Sequence, residues 1–367
     1  MTDYYQLAKQ VNRKLKNTAQ FYAVDLHCHT PLSYYFGRID KVSYKDINAT
    51  GHQIAKSGCQ SNLHILGITD HNRCDNVEEV KSAAEDIKRS GENQYSNNNL
   101  VVLPGIEITV EESFKNIHIL ALFSEDKSII EIERIFDKTG IEPDPEKRTK
   151  ESKVNTKRII EVVQKIRELN GIAILAHVNS DNGYRKEMKN CGLEDHEVKQ
   201  KIDELSIDGI EINKPEDAKH FEFEGKKYPC VIGSDAHYIH EIGGKEHITR
   251  IKMTTSSFND LQKALLDPET RIRYQDQQSS YIKKVLGIKF EGGFLDEQTI
   301  PFSSNLNCLI GPRGSGKSTC IEAIRYIFDK HVPEDRTKDI NRLRSNVFPD
   351  CCVFHGRWPP SPCDGGQ

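Results

Sequence analysis

The sequence predicts an α/β fold built on a parallel β-sheet, either open or closed into a barrel. Three observations predict it. Short apolar runs recur between residues 21 and 274, each run is bounded by Gly, Pro, Asn or Asp, and helical stretches separate several of them. Strands that alternate with helices form parallel sheets, because each helix returns the chain to the starting end of the next strand.

Seven apolar runs are the predicted strands, and all are short enough for strands that are buried on both faces. They are residues 21–26, 65–69, 100–103, 117–123, 172–176, 207–212 and 231–234. Before the fifth run, the spacing of Ile159, Val162, Val163 and Ile166 predicts a helix over residues 155–170. Gly171 is the predicted C-cap of this helix.

Breaks in this pattern divide the chain into four segments. They are a polar helical lead (1–20), the strand-rich domain (21–274), a second domain (281–345) and a C-terminal tail (346–367). The charge-dense stretch 125–153 contains two prolines, and we interpret it as an exposed insertion in the strand-rich domain. The tail lacks periodicity and holds three of the ten cysteines and the only tryptophan, so we expect it to be disordered or non-native.

Composition excludes few classes of function. The chain has 367 residues, of which 36% are hydrophobic and 29% charged, and its net charge is −4. This net charge argues neither for nor against nucleic acid, because a near-neutral total can contain a local basic groove. No apolar run approaches the roughly 18 residues that a membrane span needs. Because the cysteines are scattered and the lead has no apolar signal region, we expect a cytoplasmic protein without membrane contact.

Histidines and carboxylates lie in or just after the predicted strands. They are His27, His29, Asp70, His71, Glu107, His118, His177, Asp235 and His237. Side chains at the carboxyl ends of parallel strands converge on one site, and neutral imidazoles are the commonest metal ligands. Mixed imidazole and carboxylate ligation suits Zn²⁺, Mn²⁺ or Fe²⁺. The pattern therefore predicts a divalent-metal centre, which supports phosphoester hydrolysis when two ions lie close together.

Together these motifs resemble the PHP (polymerase and histidinol phosphatase) domain over residues 21–274. The matching segments are Asp25–Thr30, Thr69–Asn72, Gly105–Glu107, His118, Ala176–His177 and Gly233–His237. The resemblance implies a distorted (β/α)7 barrel that holds two or three divalent metals, commonly zinc or manganese, and hydrolyses phosphoesters.

The resemblance also implies how the metals share their ligands. One metal would be held by His27, His29, Glu107 and Asp235. Glu107 would bridge to a second metal held by His118 and His177, and His71 and His237 would hold a third. The chain departs from the family where Tyr34 and Tyr35 follow Ser33, so we expect the third metal to be weak or absent.

Several residues are assigned roles in or around the predicted metal centre. We take Asp70, His71, Glu107 and Asp235 as the candidate catalytic residues. Asp25 and Asp70 are candidates to orient ligand imidazoles through hydrogen bonds. Glu211 matches no ligand position, and we interpret it as structural.

A glycine-rich loop lies in the second domain. Residues 311–319 fit the phosphate-binding pattern G-x-x-x-x-G-K-[ST], between a predicted strand (306–310) and an apolar-periodic helix. Backbone N–H groups of such a loop cradle phosphates, while Lys317 would reach the β- and γ-phosphates and Ser318 the Mg²⁺ ion. The candidate contacts to ATP with Mg²⁺ are Gly311, Gly314, Ser315, Gly316, Lys317, Ser318 and Thr319.

The second domain resembles the N-terminal lobe of ABC-type ATPases of the structural-maintenance-of-chromosomes (SMC) and RecF kind. PHP domains fused upstream of such ATPases form the TrlF-like group, whose N-terminal part resembles residues 20–331. The resemblance allows a homodimer through the ATPase lobe in the full-length form. ATP hydrolysis in these ATPases needs an apolar strand ending in Asp-Glu and a signature motif. Neither follows the loop, so we expect no ATP turnover by this chain.

Three functions follow from these motifs. The first is a metal-dependent phosphoesterase that acts on DNA or RNA in a repair or defence system, with the ATPase part regulating it or delivering substrate. The second is a small-molecule phosphatase of the histidinol-phosphate or nucleotide type. The third is a catalytically degenerate, metal-bound module of an ATP-gated DNA-binding protein.

Overall fold

A computed structural model of the chain divides into two compact units, one of which is residues 19–276 and the other the rest of the chain. The described residues are 19–30, 50–90, 99–113, 115–137, 139, 141–142, 144, 147–148, 152–154, 158–244, 248–274, 284–290, 295–303, 306–327, 337–338 and 351–356. All but residues 19 and 20 of the predicted N-terminal lead lie outside them.

Eleven strands lie among the described residues of the first unit. They are β1 (Gln20–Cys28), β2 (Ile65–Ile68), β3 (Val101–Glu112), β4 (Lys115–Leu122), β5 (Ile172–Leu175), β6 (Gly209–Glu211), β7 (Glu222–Phe223), β8 (Lys226–Lys227), β9 (Cys230–Val231), β10 (Thr249–Met253) and β11 (Ile272–Arg273). β7 and β8 form a separate hairpin. The other nine form one sheet in the order β11-β10-β1-β2-β3-β4-β5-β6-β9.

This sheet is mixed and nearly closed. β1, β2 and β3 are parallel, as are β5, β6 and β9, whereas β4 is antiparallel to both β3 and β5. The segment after β9 returns to β1, because Asp235 N–H donates to the His27 carbonyl at 2.9 Å and His29 N–H donates to the Ala236 carbonyl at 3.2 Å. The predicted α/β class is confirmed, and the sheet takes the barrel form of the two that the sequence left open.

One core cluster takes buried side chains from seven strands of this sheet. They include Val24, Ile65, Leu103, Leu120, Ile174, Val231 and Ile251 of β10. Side chains from so many strands meet in one cluster only if the strands curve around a common interior. This apolar interior supports the strand ends that carry the candidate ligands.

The predicted third and fourth strands form one long hairpin. β3 continues to Glu112, and Gly105–Glu112 pairs with Lys115–Leu122 of β4. Glu107 therefore lies within a strand, whereas the sequence pattern had placed it after the end of one. A turn too short for a crossover helix makes β4 antiparallel, and this places His118 beside the Glu107 strand.

Eight helices lie among the described residues of the first unit. They are α1 (Gly51–Gln60), α2 (Val77–Ser90), α3 (Ile129–Glu133), α4 (Ile159–Glu168), α5 (Tyr184–Asn190), α6 (Asp195–Leu205), α7 (Phe258–Leu265) and α8 (Pro268–Arg271). None of the helices in the described part of the chain has both the length and the apolar composition that a bilayer crossing requires.

The buried apolar residues of helix α4 lie on one face, as their spacing predicts. They include Ile159, Val162 and Ile166. The C-terminal residues differ from the prediction: Asn170, not Gly171, takes the positive φ of 55°. A Cβ atom at Gly171 would lie 2.6 Å from the Phe123 ring, so this glycine permits close packing of helix and strand.

The charged insertion 125–153 is partly buried, which corrects its interpretation as exposed. Ile132 and Phe136 belong to the core, and the Arg148 side chain is only 2% exposed. Arg148 forms an ion pair with Glu133 at 2.8 Å and donates to the Asn72 carbonyl at 3.0 Å. Apolar residues between the charges therefore anchor this segment on the barrel.

The second unit contains three strands and one long helix among its described residues. They are β12 (Lys284–Phe290), β13 (Thr299–Pro301), α9 (Lys317–Ile327) and β14 (Cys351–Gly356). The strands are antiparallel in the order β13-β12-β14. A small core forms around Ile288, Phe290, Cys320 and Ala323.

Two expectations for this unit differ from the structure. Leu306–Ile310 is not a strand, because no strand in the described residues lies beside it to pair its backbone. Its two end residues are largely exposed, Leu306 at 89% and Ile310 at 93%. In the tail that we expected to be disordered, Cys351–Gly356 pairs with β12 as an edge strand. The remaining tail residues lie outside the described set.

Candidate metal centre

The carboxyl end of β1 carries two of the predicted ligands. The pairing of β1 with β2 shifts register between Asp25 and Cys28, and such irregularities re-aim side chains next to functional sites. His27 and His29 are fully buried, and their Nε2 atoms lie 3.2 Å apart. The two imidazoles therefore share one side of the chain, as their spacing predicts.

Four donor atoms meet in what we call the first donor set: His27 Nε2, His29 Nε2, Glu107 Oε2 and Asp235 Oδ1. His29 Nε2 lies 3.3 Å from Glu107 Oε2 and 3.2 Å from Asp235 Oδ1. His27 Nε2 lies 3.5 Å and 3.4 Å from the same two oxygens. A tetrahedral Zn²⁺ with bonds of about 2.0–2.1 Å separates its ligands by about 3.3–3.4 Å. The first donor set therefore fits one divalent ion.

The other oxygen of Glu107 faces a second donor set, formed with His118 and His177. Glu107 Oε1 lies 2.7 Å from His118 Nδ1 and 3.1 Å from His177 Nε2, and these two nitrogens are 3.3 Å apart. Strand β4 supplies His118, and His177 follows β5. The two oxygens of one buried carboxylate thus point at different groups of imidazoles, which is the arrangement of a carboxylate that bridges two ions.

His71 lies beside Glu107. His71 Nδ1 is 2.8 Å from Glu107 Oε2, and one ligand atom from each of His71, Glu107 and His118 can lie within 4.8 Å of the others. The sequence resemblance instead implied that His71 holds a third ion together with His237. Among the described residues His71 is grouped with the second donor set, and the third ion stays a prediction.

His237 lies on the open side of the centre. It forms a group with His29 and Asp235, and its Nε2 atom is 3.6 Å from Asp235 Oδ1. The side chains of Asp235 and His237 are 42% and 22% exposed, whereas Glu107 is buried. A ligand entering from solvent would therefore meet this side first. Tyr34 and Tyr35, the departure from the family pattern, lie outside the described residues.

Charge and burial set the protonation of the donors. Burial alone would raise the pKa of Glu107, but His71, His118 and His27 hold it well below its usual range. Burial lowers the pKa of His71 to about 4 and that of His237 to about 3. At neutral pH Glu107 is therefore ionised, and both of these imidazoles are neutral and keep a lone pair for a cation.

The His29 imidazole has the opposite shift. Burial favours its neutral form, but the nearby carboxylates of Asp235 and Glu107 outweigh burial and raise the pKa of His29 to about 9. A divalent cation would replace this proton, because metal binding requires a neutral imidazole. Metal uptake is therefore expected to release protons.

Asp25 was predicted to orient an imidazole, but among the described residues it accepts hydrogen bonds from backbone N–H groups. Its Oδ1 atom accepts from the Ser234 N–H at 3.0 Å, and its Oδ2 atom accepts from the Gly243 N–H at 3.2 Å. These bonds tie β1 to the loop that carries Asp235. Asp25 therefore fixes the position of a ligand-bearing loop, a role that sequence spacing alone could not reveal.

Asp70 is a buried supporting residue and has no exposed surface. It accepts hydrogen bonds from both the backbone N–H and the hydroxyl of Thr30, each at 2.7 Å. Its Oδ1 atom is 3.9 Å from His29 Nδ1, which is too long for a hydrogen bond. The described geometry therefore gives no support to Asp70 as a group that touches substrate.

Glu211 was assigned no ligand position, and it is in none of the donor groups among the described residues. It is nevertheless buried and directly contacts the centre. Its Oε2 atom lies 2.8 Å from His27 Nδ1 and accepts the His177 backbone N–H at 2.8 Å. The only sequence signal was its place at the end of a predicted strand.

The glycine-rich loop precedes the first turn of α9. Gly314 and Gly316 have φ values of 84° and 87°, which glycine adopts readily. Lys317 Nζ donates to the carbonyls of Gly311 and Pro312, each at 2.6 Å. The lysine therefore lies across the loop, where it would meet a phosphate.

Comparison with known families identifies the region that contains this loop. Residues 286–351 match the family model described as the AAA domain. An ATPase-like region therefore lies in the second unit, where the glycine-rich loop is found.

The solved structures that are similar to the chain include three with different activities. A lesion-specific endonuclease from Pyrococcus furiosus is 14% identical with a TM-score of 0.46, over 89% of this chain and 83% of that one. A candidate metal-dependent phosphoesterase from Bifidobacterium adolescentis is 17% identical with a TM-score of 0.37, over 59% and 88%. An amidohydrolase from Chromobacterium violaceum, solved with sulfate and no metal, is 16% identical with a TM-score of 0.39, over 69% and 98%. These activities belong to those proteins.

Proposed function

We propose that residues 19–276 form a PHP-type phosphoesterase that depends on divalent metal ions and acts on nucleic acid. The ions would be Zn²⁺, Mn²⁺ or Fe²⁺, which suit mixed imidazole and carboxylate ligation. The second unit would bind ATP with Mg²⁺ at the glycine-rich loop and regulate access to the phosphoesterase. The proposal agrees with the motifs along the sequence and with the donor geometry of the centre.

The observation that carries the proposal is the environment of Glu107. Its Oε2 atom is buried and has no hydrogen-bond partner of good geometry among the described residues, although imidazole nitrogens surround it. Leaving a buried polar atom unsatisfied costs about 1–3 kcal/mol, and more for a charged group. A cation that both the oxygen and the imidazoles bind would remove this cost. The donor chemistry therefore fits a metal ion.

Each part of the centre then has a distinct task. Divalent ions in such a centre supply Lewis acidity and offset the charge that develops on the attacking and leaving oxygens of a phosphoester. His27 and His29 would hold the first ion from a fully buried position, and Glu107 would contribute its other oxygen to the second donor set. Asp235 is both a ligand and partly exposed, so it lies where bound substrate would contact the centre.

The choice of nucleic acid as substrate depends on the second unit. Residues 286–351 match the AAA domain. The sequence of the second domain resembles the N-terminal lobe of SMC- and RecF-like ATPases. The association of a phosphoesterase with such an ATPase is the reason for choosing a phosphodiester backbone as the substrate. The repair or defence role proposed for the chain follows from this association.

Hydrolysis assays test the proposed function. Purified protein comprising residues 1–367 should cleave single- or double-stranded oligonucleotides with Mn²⁺, Zn²⁺ or Fe²⁺, and lose the activity with a chelator. Glu107→Gln should reduce the rate by about 100-fold or more, because the loss of the bridging charge removes several kcal/mol of transition-state stabilisation. His196→Ala, which removes an exposed imidazole on α6, is the matched control and should retain activity.

Two outcomes would contradict the nucleic-acid assignment. Turnover of p-nitrophenyl phosphate or a nucleoside monophosphate while oligonucleotides stay intact would indicate a small-molecule phosphatase. Full metal loading without hydrolysis of any ester would indicate a degenerate, metal-bound module.

A further inference from the structure

Glu211 lies behind the metal centre at the end of β6. Its side chain is 4% exposed, and its Oε2 atom is within hydrogen-bond distance of one histidine from each donor set. His27 Nδ1 is 2.8 Å away, and the His177 backbone N–H donates to the same oxygen at 2.8 Å. The contact to His27 is made by the ring nitrogen opposite the one that faces Glu107, and the contact to His177 is made by its backbone. Glu211 therefore contacts both ligands without offering its own oxygen to an ion.

We propose that Glu211 is a positioning residue that fixes the tautomer of His27 and couples it to His177. The proposal depends on the proposed metal function. When His27 Nδ1 carries the proton and donates a hydrogen bond to Glu211, the lone pair of Nε2 faces Glu107 and Asp235. Carboxylates in this position orient ligand imidazoles and raise their basicity. One oxygen thus holds a ligand of the first donor set and the backbone of a ligand of the second.

The backbone at His177 explains why this second bond is needed. His177 has a φ of 26°, in a region that residues other than glycine rarely adopt. The Glu211 side chain accepts the His177 N–H, and the Glu211 carbonyl accepts the Val178 N–H at 3.0 Å. These bonds hold the strained turn that aims the His177 imidazole at Glu107.

Gly233 provides independent evidence that the space around Glu211 is constrained. A Cβ atom at position 233 would lie 2.1 Å from Glu211 Oε1 and 2.7 Å from the His27 Cβ atom. Any side chain at 233 would therefore displace both the carboxylate and the ligand. The absence of a side chain at Gly233 lets Glu211 reach His27.

Metal affinity and histidine tautomers test this role. Zn²⁺ affinity of the full chain would be measured by competition with a chromophoric chelator. Glu211→Ala should weaken binding by about 10–100-fold. Glu211→Gln, which keeps an oxygen acceptor, should lose less. Glu112→Gln is the matched control. Glu112 also accepts a backbone N–H, from Ile159, but among the described residues it contacts none of the candidate ligands. The Zn²⁺ affinity of this variant should therefore equal that of wild type.

The tautomer supplies a readout that a merely structural role would not change. Long-range ¹⁵N–¹H spectra of the Zn²⁺-loaded protein should show His27 protonated at Nδ1, with its signals assigned by their loss in His27→Gln. Glu211→Ala should lose or mix this pattern. Gly233→Ala should weaken Zn²⁺ binding although it removes no polar group, and this loss should shrink when Glu211 is already Ala.

The outcomes separate this inference from the proposed function. If wild-type protein binds no metal, the proposed function fails. If wild-type protein binds Zn²⁺ and folded Glu211→Ala binds it with the same affinity and the same His27 pattern, only the role of Glu211 is overturned. Additive losses from Gly233→Ala and Glu211→Ala would also overturn the coupling between them.

Discussion

Replacing His118 with alanine should remove one bound ion and keep the other. His118 contributes only to the second donor set, 2.7 Å from Glu107 Oε1. The first donor set keeps all four of its donors, including Glu107 Oε2. An intact protein with two ions should therefore become a protein with one.

The size of this effect follows from linkage. An ion present at 100 times its dissociation constant stabilises the folded state by about 2.7 kcal/mol per site. For a unit as large as residues 19–276, this corresponds to a rise in Tm of about 5–11 °C per occupied site. Wild-type protein should therefore gain about twice the Tm shift that His118→Ala gains on adding Zn²⁺ or Mn²⁺ after chelation.

Differential scanning calorimetry with matched metal analysis measures this shift. His196→Ala, the same substitution at an exposed position on α6, should behave as wild type. If His118→Ala keeps the full shift, His118 binds no ion. If it loses the whole shift and both ions, the two donor sets are not separate, and the division made at Glu107 is wrong.

Three further predictions concern stability and the second unit. Burial lowers the pKa of His64 to about 4, so its contribution to folded-state stability is present above pH 6.5 and is lost as the pH falls towards 4. The drop in unfolding free energy between pH 7 and 5 should therefore be about 1–2 kcal/mol smaller in His64→Asn than in wild type. Arg148→Met should lower the unfolding free energy by about 3 kcal/mol, because it leaves the Glu133 carboxylate without its buried partner, whereas Arg89→Met at an exposed pair should change it by less than about 0.5 kcal/mol in urea titrations. Lys317→Ala should weaken binding of a fluorescent ATP analogue by about tenfold or more, and an unchanged affinity would refute the role of the loop.

The sequence predicted the fold class and most of the centre because both depend on local signals. Buried parallel strands are short apolar runs, and ligands at their ends appear in chain order with recognisable spacing. His27 and His29 are two residues apart on an extended segment, so their proximity follows from strand geometry. Glu107 and His118 are brought together by the β3–β4 hairpin, whose length the runs did not show.

What the sequence did not show depends on contacts between distant segments. Glu211 touches His27, which lies 184 positions away, and no spacing rule relates them. Asp25 likewise bonds to the loop at Ser234 and Gly243, although its position suggested an imidazole partner. Leu306–Ile310 has the composition of a strand but no pairing partner in the described residues, and a strand requires one.

The bridging role of Glu107 is the central claim, and crystallographic anomalous scattering at the metal absorption edge tests it most directly. Crystals of the metal-loaded chain should show two peaks, one on each side of the Glu107 carboxylate and about 3.5–4 Å apart. One peak should lie among His27, His29 and Asp235, and the other beside His118 and His177. A single peak, or a pair of peaks of which neither contacts Glu107, would contradict the account.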